Sequence, residues 1–269
     1  MKAINVILTA TSIALAALAL PATAAQMLLN GNLESFSSGQ PNSWTYRESP
    51  DRSLQTVESS VQVSPFTSVY ASSTRSALLT DTTLSNTRPI LTQLFSPQTT
   101  QLDFSFDFYV ADSTFNNDPW VVSLKNDEFG LPFGGNDAFR LMIDLPGGVF
   151  RAQGQNSNFD TTILPNTWYH VQTTVNIAAA VFSGSIQPFG GSAVSWSADD
   201  LYNIFTTSTD PTISRVWVED LNLTFGAANS NTHFDNFSVT AIPEPSTTFF
   251  GVVALAGILI RRFRSNSNG

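Results

Sequence analysis

Hydrophobic and polar positions alternate over short runs along the middle of this chain, and turn-forming residues separate the runs. The clearest run is 102–110. Phe104, Phe106, Phe108 and Val110 fall on one side and Asp103, Ser105, Asp107 and Tyr109 on the other, which predicts a half-buried strand. Burying its three Phe side chains would contribute roughly 5–9 kcal/mol before conformational entropy is charged against it. Residues 168–175 predict a second strand, with Tyr169, Val171 and Val175 inward and Trp168, His170 and Gln172 outward. Residues 214–220 predict a third, with Val216 and Val218 inward and Arg215, Trp217 and Glu219 outward. Further strands are expected over 121–124, 139–145, 149–153, 181–186 and 221–225, with Pro146-Gly147-Gly148 as a turn. One short helix is expected over 197–205, with Ser197 as its N-cap. Many short strands and no sustained helical period predict an all-β, antiparallel two-sheet β-sandwich over residues 26–242.

Two apolar stretches at the ends break the pattern. Lys2, the apolar run 4–20, Pro21 and Ala22-Thr23-Ala24-Ala25 have the three parts of a secretory signal peptide, residues 1–25. Cleavage fits after Ala24 or Ala25; an uncleaved membrane anchor is the alternative. At the other end, Pro243-Glu244-Pro245 precedes the apolar run 249–260, which Arg261, Arg262 and Arg264 close before a polar tail over 265–269. Counted from Thr247, that run is roughly 14 residues, or about 21 Å as a helix, short for a ~30 Å hydrocarbon core. The arginines are expected to stay cytoplasmic and to leave the body outside, so the helix suits a transient transmembrane anchor.

Residues 243–264 resemble the PEP-CTERM sorting signal of Gram-negative bacteria. The resemblance implies that an exosortase recognises Pro243, Glu244 and Pro245 and removes the tail. The protein would pass through an inner-membrane intermediate to the outer surface or the extracellular matrix. Those three residues would then serve another enzyme and form no active site of this chain.

Composition narrows the partners. Four of the 12 basic residues and one of the 21 acidic residues lie in the two ends, so residues 26–242 carry twenty acids against eight bases, a net charge of −12. Such a surface cannot neutralise phosphates, which excludes nucleic acid as a partner. The absence of Cys excludes disulfides, thiolate metal sites and a Cys nucleophile, and leaves the compartment open. Twenty-one Phe and five Trp exclude a disordered acidic tail.

The body opens with Asn30-Gly31-Asn32-Leu33-Glu34 and Pro41-Asn42-Ser43-Trp44, and closes with His233-Phe234-Asp235-Asn236-Phe237-Ser238-Val239. These motifs resemble the jelly-roll β-sandwiches of carbohydrate-binding modules. Asn166-Thr167-Trp168-Tyr169-His170-Val171 is similar to the concanavalin-like lectin and laminin-G-type sandwiches. Both resemblances imply an antiparallel jelly roll. The first also implies that the first and last strands lie side by side, with a structural calcium between Glu34 and Asp235 and carbonyls around Asn30 and Asn32. Carboxylate and carbonyl oxygens suit that ion. The alternative is that both acids cap strand ends or bond loop amides. Residues 112–118 are a second oxygen-rich loop, read as solvated.

A sugar site needs a flat aromatic ring for the apolar face of the sugar and polar groups for its hydroxyls. Tyr109, Trp168, His170, Trp217 and Glu219 are the candidates, and they would form one platform if their three strands share a sheet. Trp120, on the loop after Pro119, and Trp196 are alternatives, and packing beneath a loop is the competing fate of each Trp. The chain has two histidines. His170 and His233 are expected to hydrogen-bond rather than act as bases, since neither sits in a nucleophile elbow. The Glu-x-Asp-x-x-Glu strand of concanavalin-like glucanases is missing, and Glu219-Asp220 points to opposite faces. The expected protein is not an enzyme. It is an exported surface or matrix protein that binds, or sits within, extracellular polysaccharide. A glycoside-active enzyme on the same fold and a purely structural matrix protein are the alternatives.

Overall fold

Alternation along the chain builds two seven-stranded antiparallel sheets and a two-stranded hairpin. The computed structural model describes residues 25–37, 40–47, 55–60, 62–70, 73–81, 90–111, 119–126, 137–144, 147–202, 206, 211–220 and 230–242. The signal peptide up to residue 24, the loop 112–118, the strand expected over 221–225 and the tail from Pro243 onward lie outside the described residues. Among the described residues, no helix is long and apolar enough to cross a membrane.

In chain order the strands are β1 Phe36–Ser37, β2 Gln40–Pro41, β3 Thr45–Arg47, β4 Gln55–Ser60, β5 Ser76–Asp81, β6 Ile90–Gln98, β7 Gln101–Val110 and β8 Trp120–Lys125. They continue as β9 Arg140–Asp144, β10 Val149–Gln153, β11 Asn158–Thr162, β12 Thr167–Asn176, β13 Val181–Pro188, β14 Val194–Asp200, β15 Ile213–Asp220 and β16 Ser230–Ile242. The front sheet runs β14-β13-β12-β7-β16-β5-β4 and the back sheet β11-β10-β9-β8-β15-β6-β3. Strands remote in sequence are neighbours in both, as a jelly roll requires.

The core is the set of inward positions of both sheets. Phe104, Phe106, Phe108, Val171 and Val175 of the front sheet and Val122, Leu124, Leu141, Ile143 and Phe150 of the back sheet are fully buried. Their rings meet across the interface: Phe108 stacks on Phe150 at 6.3 Å and Trp120 meets Phe234 edge-on at 5.9 Å. Contacts of this kind are worth ~1 kcal/mol each beyond the area they bury.

Two elements correct the sequence reading. Residues 197–200 belong to β14 and are not helical. Pairing with β13 sets Asp199 opposite Phe182 and Asp200 opposite Val181, and the Asp199 carboxylate accepts a bond from the Ser157 amide instead of capping a helix. Residues 203–205 of that expected helix lie outside the described residues. Trp120 is on no loop: it opens β8 and is fully buried in the core.

β16 also departs from strict alternation. Phe234 and Phe237 are both fully buried although three positions apart, and Asn236 between them has a φ of 52°. The left-handed backbone at Asn236 lets both rings face the core. Beyond it, the first described residues run alongside β16: the Phe237 amide donates to the Gly31 carbonyl at 2.8 Å and the Met27 amide to the Val239 carbonyl at 2.9 Å.

Candidate functional site

The opening motif is a structural clip. The Asn30 side chain accepts from the Ser35 amide at 3.0 Å and donates to the carbonyls of Ser35 and Asn42 at 2.9 and 3.0 Å. The Trp44 indole donates to the Asn30 carbonyl at 3.1 Å and packs on Phe237 at 5.0 Å. Gly31 is required here because a Cβ would lie 2.0 Å from the Tyr70 hydroxyl and 2.1 Å from the Phe237 carbonyl oxygen.

Glu34 and Asp235 do converge, through Ser73. Its hydroxyl oxygen lies 2.7 Å from Glu34 Oε1, 3.0 Å from Asp235 Oδ2 and 2.8 Å from the Arg75 carbonyl. As arranged, the pair does not fit a calcium shell. Glu34 is filled by the amides of Thr74 and Arg75 and by the Thr74 hydroxyl, and the Asn30 carbonyl already accepts from Leu33 and Trp44. Among the described residues, no three His, Asp or Glu gather as metal ligands. The loop-amide alternative accounts for the Glu34 bonds.

One hydroxyl proton cannot serve three acceptors, so one of these oxygens must supply a proton of its own. Below its raised pKa, Asp235 is that group. Burial pushes its carboxyl up to about 7, against bonds from Ser64, Ser73 and Asn236. Burial also raises Glu34, but its bonds from Thr74, Ser73 and Arg75 prevail and hold it below the usual carboxylate value. A protonated Asp235 donating to Ser73, which donates to Glu34, closes the chain.

From Asp235 the network continues onto the outer face of the front sheet. The segment Ser64–Tyr70 crosses that face. The Ser64 amide donates to Asp235 Oδ2 at 3.2 Å and its hydroxyl to Asp107 Oδ2 at 2.6 Å, while the Tyr70 hydroxyl donates to the Phe237 carbonyl at 2.7 Å. Asp107 also accepts from Asn236 Nδ2 at 2.8 Å, and its Oδ1 lies 2.6 Å from His170 Nδ1. Asp107 is thus fully buried on the polar side of β7.

Beside it lies a cleft of about 340 Å³, lined by Thr67, Ser68, Val69, Ser105, Asp107, His170, Gln172, Asn236 and Ser238. Phe66 lies 5.5 Å from the His170 ring and meets Phe189 edge-on at 5.6 Å. Phe189 is 58% exposed, a large apolar ring left in solvent at this edge. His170 therefore makes a bond, as expected, but in company the sequence did not indicate. Ser64, Phe66 and Phe189 stand in stretches without periodicity, and Asp107 read as an ordinary outward polar residue.

The other candidates are dispersed. Tyr109 and Trp168 are cross-strand partners with rings 5.5 Å apart, and Tyr109 meets His233 at the same distance. Trp168 is buried, whereas Tyr109 is half-buried, with its hydroxyl bonded to Asn166 at 3.1 Å. Burial also holds the His233 imidazole down at about 4, so it is neutral at pH 7. Trp217 and Glu219 do not share this sheet, because β15 belongs to the back sheet. Both are buried there, where Lys125 Nζ sits 4.3 Å from the Trp217 ring and pairs with Asp137 at 2.9 Å. Trp196 borders a second cleft of about 250 Å³ with Phe159 and Phe182, and packs against Gly184, where a Cβ would lie 2.4 Å from its ring. All five Trp are buried, so packing is the fate each one meets.

Two seven-stranded antiparallel sheets in this order, with a polar cleft on an outer face, define a lectin-like β-sandwich. No family model and no curated protein matches the chain. Among solved structures, the Lotus tetragonolobus seed lectin is similar at a TM-score of 0.52 and 10% identity, over 83% of this chain and 100% of that one. Peanut lectin with a 9mer peptide is similar at 0.52 and 11% identity, over 82% and 98% of the two chains. Lectin UEA-II complexed with galactose is similar at 0.51 and 10% identity, over 82% and 99%. At such identities the likeness is one of fold.

Proposed function

We propose that the chain is an exported protein that binds extracellular polysaccharide through the outer face of its front sheet, without turning it over. The observation that carries this reading is the polar cleft over β7 and β12, with the exposed ring of Phe189 at its edge, joined to His170 through Phe66. Saccharides need that combination, polar partners for hydroxyls and a flat ring for the C–H face. The lectin-like fold supports it. Asp107 supports binding over hydrolysis, because three partners hold its carboxylate and leave it poorly placed as the acid or nucleophile of a glycosidase.

Export and sorting rest on the two ends of the sequence. Residues 1–25 send the chain out of the cytoplasm. Residues 243–264 hold it transiently in the membrane until an exosortase removes them. The acidic body then meets the polymer outside.

A glycan array probed with the full chain, followed by a reducing-sugar assay on the glycans it retains, tests this function. Retention without release of reducing ends is expected. Release that disappears in Asp107→Asn would make the protein an enzyme, and no retention on any glycan would leave it a structural matrix protein.

A further inference from the structure

We propose that the cleft over β7 and β12 is a subsite for one neutral, hydroxyl-bearing sugar ring, seated on Asn236 and His170 with its apolar face toward Phe189. The proposal rests on the polysaccharide-binding reading above and adds the place and the chemistry of the ligand.

Asn236 carries the argument. Its left-handed backbone within β16 and its burial to 3% exposure fix the side chain, and its Nδ2 donates to Asp107. A carboxylate accepts only, so the amide cannot be flipped, and Oδ1 is the group left over. That oxygen is buried and has no hydrogen-bond partner, although the residue lines the cleft. A buried acceptor without a donor is costly, and a ligand hydroxyl would remove the cost.

His170 adds a second polar atom. Asp107 holds Nδ1, which leaves Nε2 for a ligand. A sugar hydroxyl both donates and accepts, so it suits Asn236 Oδ1 and His170 Nε2, and the hydroxyls of Ser105 and Thr67 and the amide of Gln172 can exchange bonds with the remaining hydroxyls. Charge selects further. Among the described residues no Lys or Arg lines the cleft, while Asp107 lies in its floor, which disfavours a uronate or a sulfated sugar. The Phe66–Phe189 pair stands beside His170, outside the cleft lining, and offers the ring an apolar edge.

Affinity electrophoresis of the full chain tests this, in gels cast with a neutral galactan, a neutral glucan or the polyuronate alginate. Wild-type protein should be retarded by a neutral polymer and not by alginate. Phe189→Ala, which removes an exposed ring, and Gln172→Arg, which fills the cleft, should each raise the dissociation constant at least about tenfold with an unchanged melting temperature. Leu94→Ala, on the back sheet, should leave it unchanged. Equal retardation of wild type and both cleft variants would overturn the subsite while leaving polysaccharide binding intact. Retardation by alginate alone would overturn the neutral ligand, and retardation in no gel would defeat both readings.

Discussion

Burial of its carboxyl raises the pKa of Asp235, and the sign of its effect on stability follows. Its folded pKa, raised from 3.8 to about 7, means that the folded state binds more protons than the unfolded chain between those values. The stability it contributes is full below about pH 4 and is lost as pH rises through about 7. His233 acts in the opposite sense: its pKa is lowered from 6.5 to about 4, so its contribution is present above 6.5 and lost as pH falls toward 4. Asp235→Asn keeps a donor for Ser73 and removes the charge. In chelator it should be more stable than wild type at pH 8, on the order of 2–4 kcal/mol, and should show the acid-side loss of His233 undisguised. Thermal melts at pH 5 and pH 8 check this. A wild type that gains stability with calcium, and a variant that does not, would reinstate the ion. Glu34 and Asp235 stood out in the sequence through the resemblance of the opening and closing motifs to carbohydrate-binding modules. Ser73, which joins them, did not, since a serine in an aperiodic stretch carries no signal of what it touches.

At the scale of elements, alternation was legible wherever one face of a strand meets the core. β7 and β12 sit where their Phe and Val positions placed them, because a one-residue slip would expose every core side chain. The helix expected over 197–205 failed for a matching reason: Ser197 and the acids after it read equally well as an N-cap or as an exposed edge strand, and only pairing with β13 decides. The burial of Asp107 on a polar face was equally invisible, because it depends on Ser64–Tyr70 lying across the sheet. The β12–β13 hairpin offers a test of local strain. Ala180 has a φ of 55° and its amide donates to the Ile177 carbonyl at 3.1 Å. The left-handed conformation costs an L-residue ~1–2 kcal/mol, and the extra chain entropy of glycine offsets ~0.5–1 kcal/mol of that. Ala180→Gly should therefore raise stability by about 0.5–1 kcal/mol in denaturant unfolding, whereas Ala179→Gly, at an ordinary φ, should lower it by a similar amount.

For the whole molecule, the sandwich was legible but the assignment of strands to sheets was not. Alternation tells which face of a strand is polar, and nothing in it says which strands are neighbours. Trp217 and Glu219 therefore sit on the back sheet while Tyr109, Trp168 and His170 share the front one. The proposed export and sorting by the two ends can be checked on the chain itself. Intact mass of the chain recovered outside the cell should lack the first 24 or 25 residues and the sorting tail. A full-length mass confined to the cytoplasm would contradict export. Binding at the front face is tested most directly by chemical-shift mapping of labelled protein titrated with an oligosaccharide of the neutral polymer it retains. The expected result is perturbation of the Ser105, His170, Gln172 and Asn236 amides with none at Trp217 or Glu219; shifts centred on β15 of the back sheet, or none in the cleft at saturation, would contradict it.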